Sequence, residues 1–138
     1  MSTAENRALM QHVYAELANG NSRPYVEAMA DDFRWIIAGS SAWSRTFEDK
    51  QSVLTGLFGA LRATLADRVR VAATRFIAED DLVVVEARGS NTTRAGVPYN
   101  NSYCMIYTLR DGKLKQLVEY MDTDLALKAL GDPAQLLA

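Results

Sequence analysis

Hydrophobic and polar positions alternate most regularly between Asn101 and Thr123, NSYCMIYTLRDGKLKQLVEYMDT, and the run is broken once, at Asp111-Gly112. Asp and Gly both tolerate the positive φ that the central residues of a type I′ turn require, so the stretch predicts a β-hairpin with a two-residue loop. An uninterrupted ladder from that turn pairs Arg110 with Lys113, Leu109 with Leu114, Tyr107 with Gln116, Cys104 with Glu119 and Asn101 with Asp122. Side chains alternate across a strand. One face then carries Asn101, Tyr103, Met105, Tyr107 and Leu109 with Leu114, Gln116, Val118, Tyr120 and Asp122. The other carries Ser102, Cys104, Ile106 and Thr108 with Lys115, Leu117, Glu119 and Met121.

The rest of the chain switches between two periods. Ser2 and Glu5 form an S-x-x-E capping box ahead of Leu9, Met10, Val13, Tyr14 and Leu17 at helical spacing, which predicts a first helix ending at Gly20. Ser22 and Pro24 open a short second helix with Tyr25, Val26 and Met29 inward. Phe33 to Ala38 reads as a strand, followed by a loop in which Trp43 and Phe47 stand as a lip over a cavity. Thr46 and Asp49 cap a third helix through Val53, Leu57, Phe58, Leu61 and Leu65, weakened by Gly56 and Gly59. From Arg68 the period becomes two: a strand to Glu79, a turn at Asp80-Asp81, a second strand from Leu82, and a turn at Arg94-Ala95-Gly96 into the hairpin. Asp122, Thr123 and Asp124 cap a last short helix that stops at Gly131-Asp132-Pro133. Helices segregated from consecutive antiparallel strands make the fold class α+β.

Composition narrows the function. The chain has 138 residues, 49% hydrophobic and 23% charged, with a net charge of −2, which predicts one domain spanning 1–138 and no basic excess to attract nucleic acid. There is no apolar run of membrane-spanning length and no leader pattern, so the expected location is cytoplasmic, with no membrane partner. Cys104 and His12 are each the single residue of their type, which rules out an internal disulfide and a Cys/His metal cluster. No cofactor and no metal are expected.

The chemistry centres on Glu119. Beside Cys104, Leu117 and Met121 on the inferred hairpin face it would lose solvation, which raises a carboxyl pKa and makes it a candidate acid or base. Glu86 and Arg88 lie two apart on one strand face, where Arg88 could stabilise negative charge and Glu86 orient it. Their bland alternative is an exposed cross-strand ion pair. Tyr14, Trp35, Trp43 and Phe58 suit the wall of a hydrophobic pocket.

EYMDT after RDGKL, together with NGN and then DDFRW, resembles the ketosteroid isomerase-like superfamily, in its SnoaL-like branch, and is similar in fold to nuclear transport factor 2. That resemblance implies a curved, cone-shaped antiparallel sheet wrapped by three N-terminal helices, with an apolar pocket inside and a dimer across the outer sheet surface. The steroid isomerases' general base falls at Ile37 and their oxyanion-hole tyrosine at Val13, both apolar, and the strand from Tyr99 to Leu109 lacks their second acidic donor. Steroid isomerisation by that mechanism is not expected. In limonene epoxide hydrolase the acid of a D-Y-F-D stretch matches Glu119, its Arg-x-Asp pair meets Glu86-Ala87-Arg88 with charges reversed, and its water-holding Tyr and Asn meet Trp35 and Ile37.

The reading that results is a small-molecule enzyme acting on a hydrophobic metabolite by acid/base chemistry, of isomerase, cyclase, dehydratase or hydrolase type. Glu119, Arg88 and Glu86 are its catalytic set, and Tyr14, Trp35, Ile37, Trp43, Phe58, Cys104, Leu117 and Met121 bind the ligand. The alternatives are a binding protein that uses the same pocket and a purely structural dimer module. A homodimer is expected because Tyr103, Met105, Tyr107, Val118 and Tyr120 leave more apolar surface on one hairpin face than a monomer usually exposes.

Overall fold

A computed structural model describes residues 1–135. Helix α1 (Thr3–Leu17) starts at the expected capping box: the Glu5 amide donates to Ser2 Oγ at 3.1 Å and the Ser2 amide to Glu5 Oε1 at 3.0 Å. Its Met10, Val13, Tyr14 and Leu17 are buried, and α1 lies along strand β3 (Val71–Glu79). Pro24 sits in the first turn of α2 (Arg23–Ala28), and the chain passes directly into β1 (Met29–Ile37), so Met29 begins a strand instead of ending a helix. A two-residue strand, β2 (Thr46–Phe47), pairs back onto β1.

The third helix, α3, spans residues 50–64, with Asp49 as its cap accepting from the Ser52 amide. It is α-helical over Lys50–Ser52, π-helical over Val53–Leu57 and α-helical again over Phe58–Thr64. Gly56 has a packing reason to be there: a Cβ at that position would stand 3.0 Å from the Phe47 ring, so the helix approaches β2 only without a side chain. Strands β3, β4 (Leu82–Gly89), β7 (Ser102–Arg110) and β8 (Lys113–Met121) follow as an antiparallel meander, with a small β5 (Asn91–Thr92) and β6 (Pro98–Tyr99) pair between β4 and β7. The main sheet runs β2-β1-β8-β7-β4-β3, and its β1–β8 pair is parallel, an exception to the all-antiparallel expectation. Helix α4 (Thr123–Leu130) is capped by Asp122, whose carboxylate accepts from the Leu125 amide. Among the described residues no helix is long and apolar enough to cross a membrane.

The hairpin turn is as read, with φ of 52° at Asp111 and 75° at Gly112, but the ladder beyond it is not uninterrupted. Leu109 pairs with Leu114, then Thr108 with Gln116, Tyr107 with Leu117, Met105 with Glu119 and Cys104 with Tyr120. Lys115 is an extra residue, a β-bulge, and every β8 side chain after it moves to the other face. An uninterrupted ladder would turn Leu117, fully buried here, toward water, a loss of roughly 2 kcal/mol, and press the Gln116 amide into the core without a partner, at a cost of about 1–3 kcal/mol. The bulge avoids both penalties. Outside the sheet it is clasped by Asp32, which accepts from Lys115 Nζ at 2.7 Å and Arg110 Nη2 at 2.8 Å; Arg110 first and Lys115 second hold the Asp32 carboxyl well below the usual range.

The faces therefore exchange members. Tyr103, Met105, Tyr107 and Leu109 share the inner face with Leu114, Leu117, Glu119 and Met121, where Tyr107, Leu114 and Leu117 are fully buried. The apolar surface from which a dimer was expected is thus largely core. The outer face carries a different apolar row: Ile36, Val118, Ile106, Val84 and Ile77 are successive register partners across five strands.

Deleting Lys115 is expected to abolish cooperative thermal unfolding and the near-ultraviolet circular dichroism of the packed aromatics, whereas Lys115→Ala, which keeps the residue count, should retain both. Equal behaviour of the two variants would show that the bulge does not set the register.

Candidate functional site

The mouth of the sheet's concave face is closed by α1, α2 and α3, and a cavity of about 350 Å³ remains between them. Its sheet wall comes from Trp35, Val71, Tyr103, Met105 and Glu119, and its helix wall from Tyr14, Leu17, Tyr25, Phe58 and Leu61. Glu119 is 5% exposed and is the one carboxylate among the lining residues. Trp35 Nε1 donates to its Oε1 at 2.7 Å, a contact that the parallel pairing of β1 with β8 makes possible by setting Trp35 beside Leu117 and Ile37 beside Glu119. Burial drives the Glu119 pKa up from the ordinary 4.5 to about 7, against the weaker opposing effect of the Trp35 hydrogen bond. Among the described residues no cation lies close enough to cancel that rise. Oε1 is occupied by the indole, which leaves Oε2 for a ligand.

Three tyrosine hydroxyls form a second polar group at this cavity. Tyr107 Oη lies 2.6 Å from both Tyr14 Oη and Tyr25 Oη, with Tyr14 and Tyr25 on the cavity wall and Tyr107 behind them. Each hydroxyl has one proton to donate, and two contacts consume two of the three. Were the unused proton on fully buried Tyr107, it would be left without an acceptor, at a cost of about 1–3 kcal/mol. The favoured arrangement is a one-way chain in which Tyr107 accepts from one neighbour and donates to the other, which leaves the third proton on Tyr14 or Tyr25, both of which line the cavity. Such a chain polarises its last O–H. Burial, before any other cause, holds all three phenols above their ordinary pKa, so they remain neutral donors.

The remaining sequence-based site residues divide. Tyr14, Trp35 and Phe58 line the cavity with Glu119. Ile37, Trp43 and Met121 line a smaller chamber of about 50 Å³ on the far side of Trp35 and Glu119, closed by Leu130 of α4. Trp43 is no lip: it is 2% exposed, and its Nε1 donates to Gly131 O at 2.9 Å, fastening the loop to the end of α4. Leu117 is core. Cys104, Glu86 and Arg88 are corrected outright, because the bulge turns Glu119 away from them: Cys104 pairs with Tyr120 and Glu86 on the outer face. There Glu86 accepts from Arg75 Nε at 2.6 Å, and Arg88 Nη1 donates to Ser102 Oγ at 3.2 Å. They form the exposed cross-strand pairs of the bland alternative, though with other partners. Tyr25, Tyr103, Met105 and Tyr107 went unassigned to the pocket, although for the last three Leu114 and Leu117, apolar and three apart, already mark the break in period that reassigns their face.

The comparisons agree with this architecture. A SnoaL-like domain model matches residues 10–117. Among solved structures, an NTF2-like protein of unknown function from Burkholderia pseudomallei superposes with a TM-score of 0.77 at 16% identity, covering 91% of this chain and 97% of that one. An epoxide hydrolase of limonene epoxide hydrolase-like type from Mycobacterium tuberculosis gives 0.71 at 18% identity, covering 93% and 90%. TerC, co-crystallised with polyporic acid, gives 0.74 at 21% identity, covering 91% and 98%. No curated protein matches the sequence. Identities this low carry the fold alone. The family match extends over most of the cavity-lining segments, from α1 to the first half of β8, and the chain belongs to the SnoaL-like family.

Proposed function

We propose that this chain is an acid/base enzyme acting on a small hydrophobic molecule, with Glu119 as the group that takes and returns the proton. The observation that carries this reading is a buried carboxyl with a pKa of about 7, facing an apolar cavity that also presents a tyrosine hydroxyl chain. Near neutral pH both protonation states of Glu119 are populated, the condition for a group that must serve as base and then as acid. As Oε2 removes a proton from a carbon beside a carbonyl, the carbonyl oxygen gains negative charge, and the terminal tyrosine hydroxyl donates to it. The proton then returns from Glu119 to another atom of the same molecule. One carboxylate suffices for that sequence, which favours isomerisation or cyclisation over hydrolysis, since Glu86 and Arg88 are absent from the cavity and supply no second group.

A homodimer through the outer sheet face belongs to the same reading, with the row from Ile36 to Ile77 at its centre. The support is that row together with the exposed Tyr120 beside it. Ile106→Lys should convert the dimer to monomer in sedimentation at micromolar concentration, and a wild type already monomeric there would overturn the assignment.

NMR titration of Glu119 should give a pKa near 7, raised further in Trp35→Phe by loss of the indole donor and unchanged in Arg88→Met. A value near 4.5 in wild type would remove Glu119 as the proton shuttle. Stability follows the same pKa. Below the ordinary 4.5 the carboxyl is protonated folded and unfolded; from there to about 7 the folded state keeps a proton the unfolded state has released, so stability falls as pH rises through that window. The deficit above it is on the order of 3 kcal/mol. Glu119→Gln should therefore melt progressively higher than wild type between pH of about 5 and about 8, and should bind ligand without turning it over. Parallel melting curves across that range would place Glu119 in solvent.

A further inference from the structure

The mouth of the cavity lies between the loop joining α1 to α2 and the segment joining α3 to β3, and it is edged by Arg23, Arg62 and Arg68. On a chain of net charge −2 this concentration of guanidinium runs against the overall sign. The acids near the mouth are already engaged: Glu27 accepts from Arg23 at 2.9 Å, Asp67 from Arg70 at 3.0 Å, and Glu16 from the Asn21 amide at 2.9 Å. Arg62 and Arg68 have no carboxylate within ion-pair distance among the described residues. Gly20, at φ 81°, lets the loop after α1 pass close to Arg68, since a Cβ there would stand 3.3 Å from Arg68 Cβ and from the Arg70 guanidinium.

We propose that the substrate is a carboxylic acid with an apolar body, its carboxylate held at the mouth by Arg62 and Arg68 and its body inside the cavity against Trp35 and Phe58. This rests on the acid/base reading and adds the substrate class to it. Charge fixes the orientation. A carboxylate pushed to the floor would meet ionised Glu119 in an apolar setting, where repulsion between like charges is strong, while at the mouth it meets two guanidinium groups whose planar forks match its two oxygens. The apolar walls at Leu17, Leu61, Val69 and Met105 then take the hydrophobic portion, which places the reacting carbon toward Glu119 and the tyrosine chain.

The test uses a matched pair of probes, naphthylacetic acid and its neutral amide, with binding read by titration calorimetry on the intact protein. At low salt the acid should bind about tenfold more tightly than the amide, an advantage that salt screens. The advantage should fall to near unity in the double variant Arg62→Gln/Arg68→Gln while amide affinity stays unchanged, and it should persist in Glu119→Gln. Equal affinities in wild type, failure of both probes to bind, or an advantage untouched by the double variant would each overturn the proposal. The Glu119 titration is read independently. An ordinary Glu119 pKa with the acid's advantage intact would remove the acid/base reading and leave the anion site, and a raised pKa without that advantage would do the reverse.

Discussion

The hydrogen bond from Trp35 to Glu119 organises the interior of this protein, because it holds a carboxyl where a carboxyl is expensive. Its two partners come from strands far apart in sequence that run parallel in the sheet, and their side chains meet only if both point to the concave face. On β8 that condition is met by one added residue, Lys115. Without the bulge the carboxyl would sit in water on the convex side among Arg75, Glu86 and Arg88, with no reason for a raised pKa. The Asp32 clasp outside the sheet and the acid inside it are thus two ends of one local irregularity.

Burial of Glu119 acts against stability and in favour of chemistry. The cavity walls that raise its pKa also strengthen any hydrogen bond made to a charge developing inside. Tyr14 from α1, Tyr25 from α2 and Tyr107 from β7 converge on that space because each helix docks its apolar stripe on the sheet and carries one polar tip at the same level. Packing and site are one construction here: the aromatic contacts of Tyr25 with Trp35 and of Trp35 with Phe58, at ring separations of 6.0 and 5.8 Å, both fill the core and shape the cavity.

The two faces of the sheet divide labour by charge as well as by shape. Inside, one carboxyl stands among apolar and phenolic groups, and the guanidinium groups stay at the rim. Outside, ionic pairs such as Arg75 with Glu86 and Arg34 with Glu48 border an aliphatic row. Among the described residues this separation keeps cations away from Glu119, so desolvation, opposed by the weaker Trp35 hydrogen bond, sets the protonation of the acid.

Local sequence determined much of this. The capping box at Ser2 and Glu5, the Asp111-Gly112 turn, the Asp122 cap and the change of period at Arg68 each act over a few residues, so the α+β class was legible in the chain; Glu119 was singled out as the unusual acid, but on a hairpin face shared with Cys104 that the structure does not give it. Tyr14, Trp35 and Phe58 were legible as pocket wall because large aromatics at core-facing positions have few other places to go. The partners of Glu119 were not. Strand period is two, so the one-residue bulge at Lys115 reverses the face of every β8 residue from Gln116 onward, and that single reversal carried Cys104, Glu86 and Arg88 out of the site and brought Tyr103 and Met105 to the cavity wall with Tyr107 behind it. Parallel pairing of β1 with β8 and the meeting of Tyr14, Tyr25 and Tyr107 are long-range contacts with no local signature, and only tertiary packing decided them.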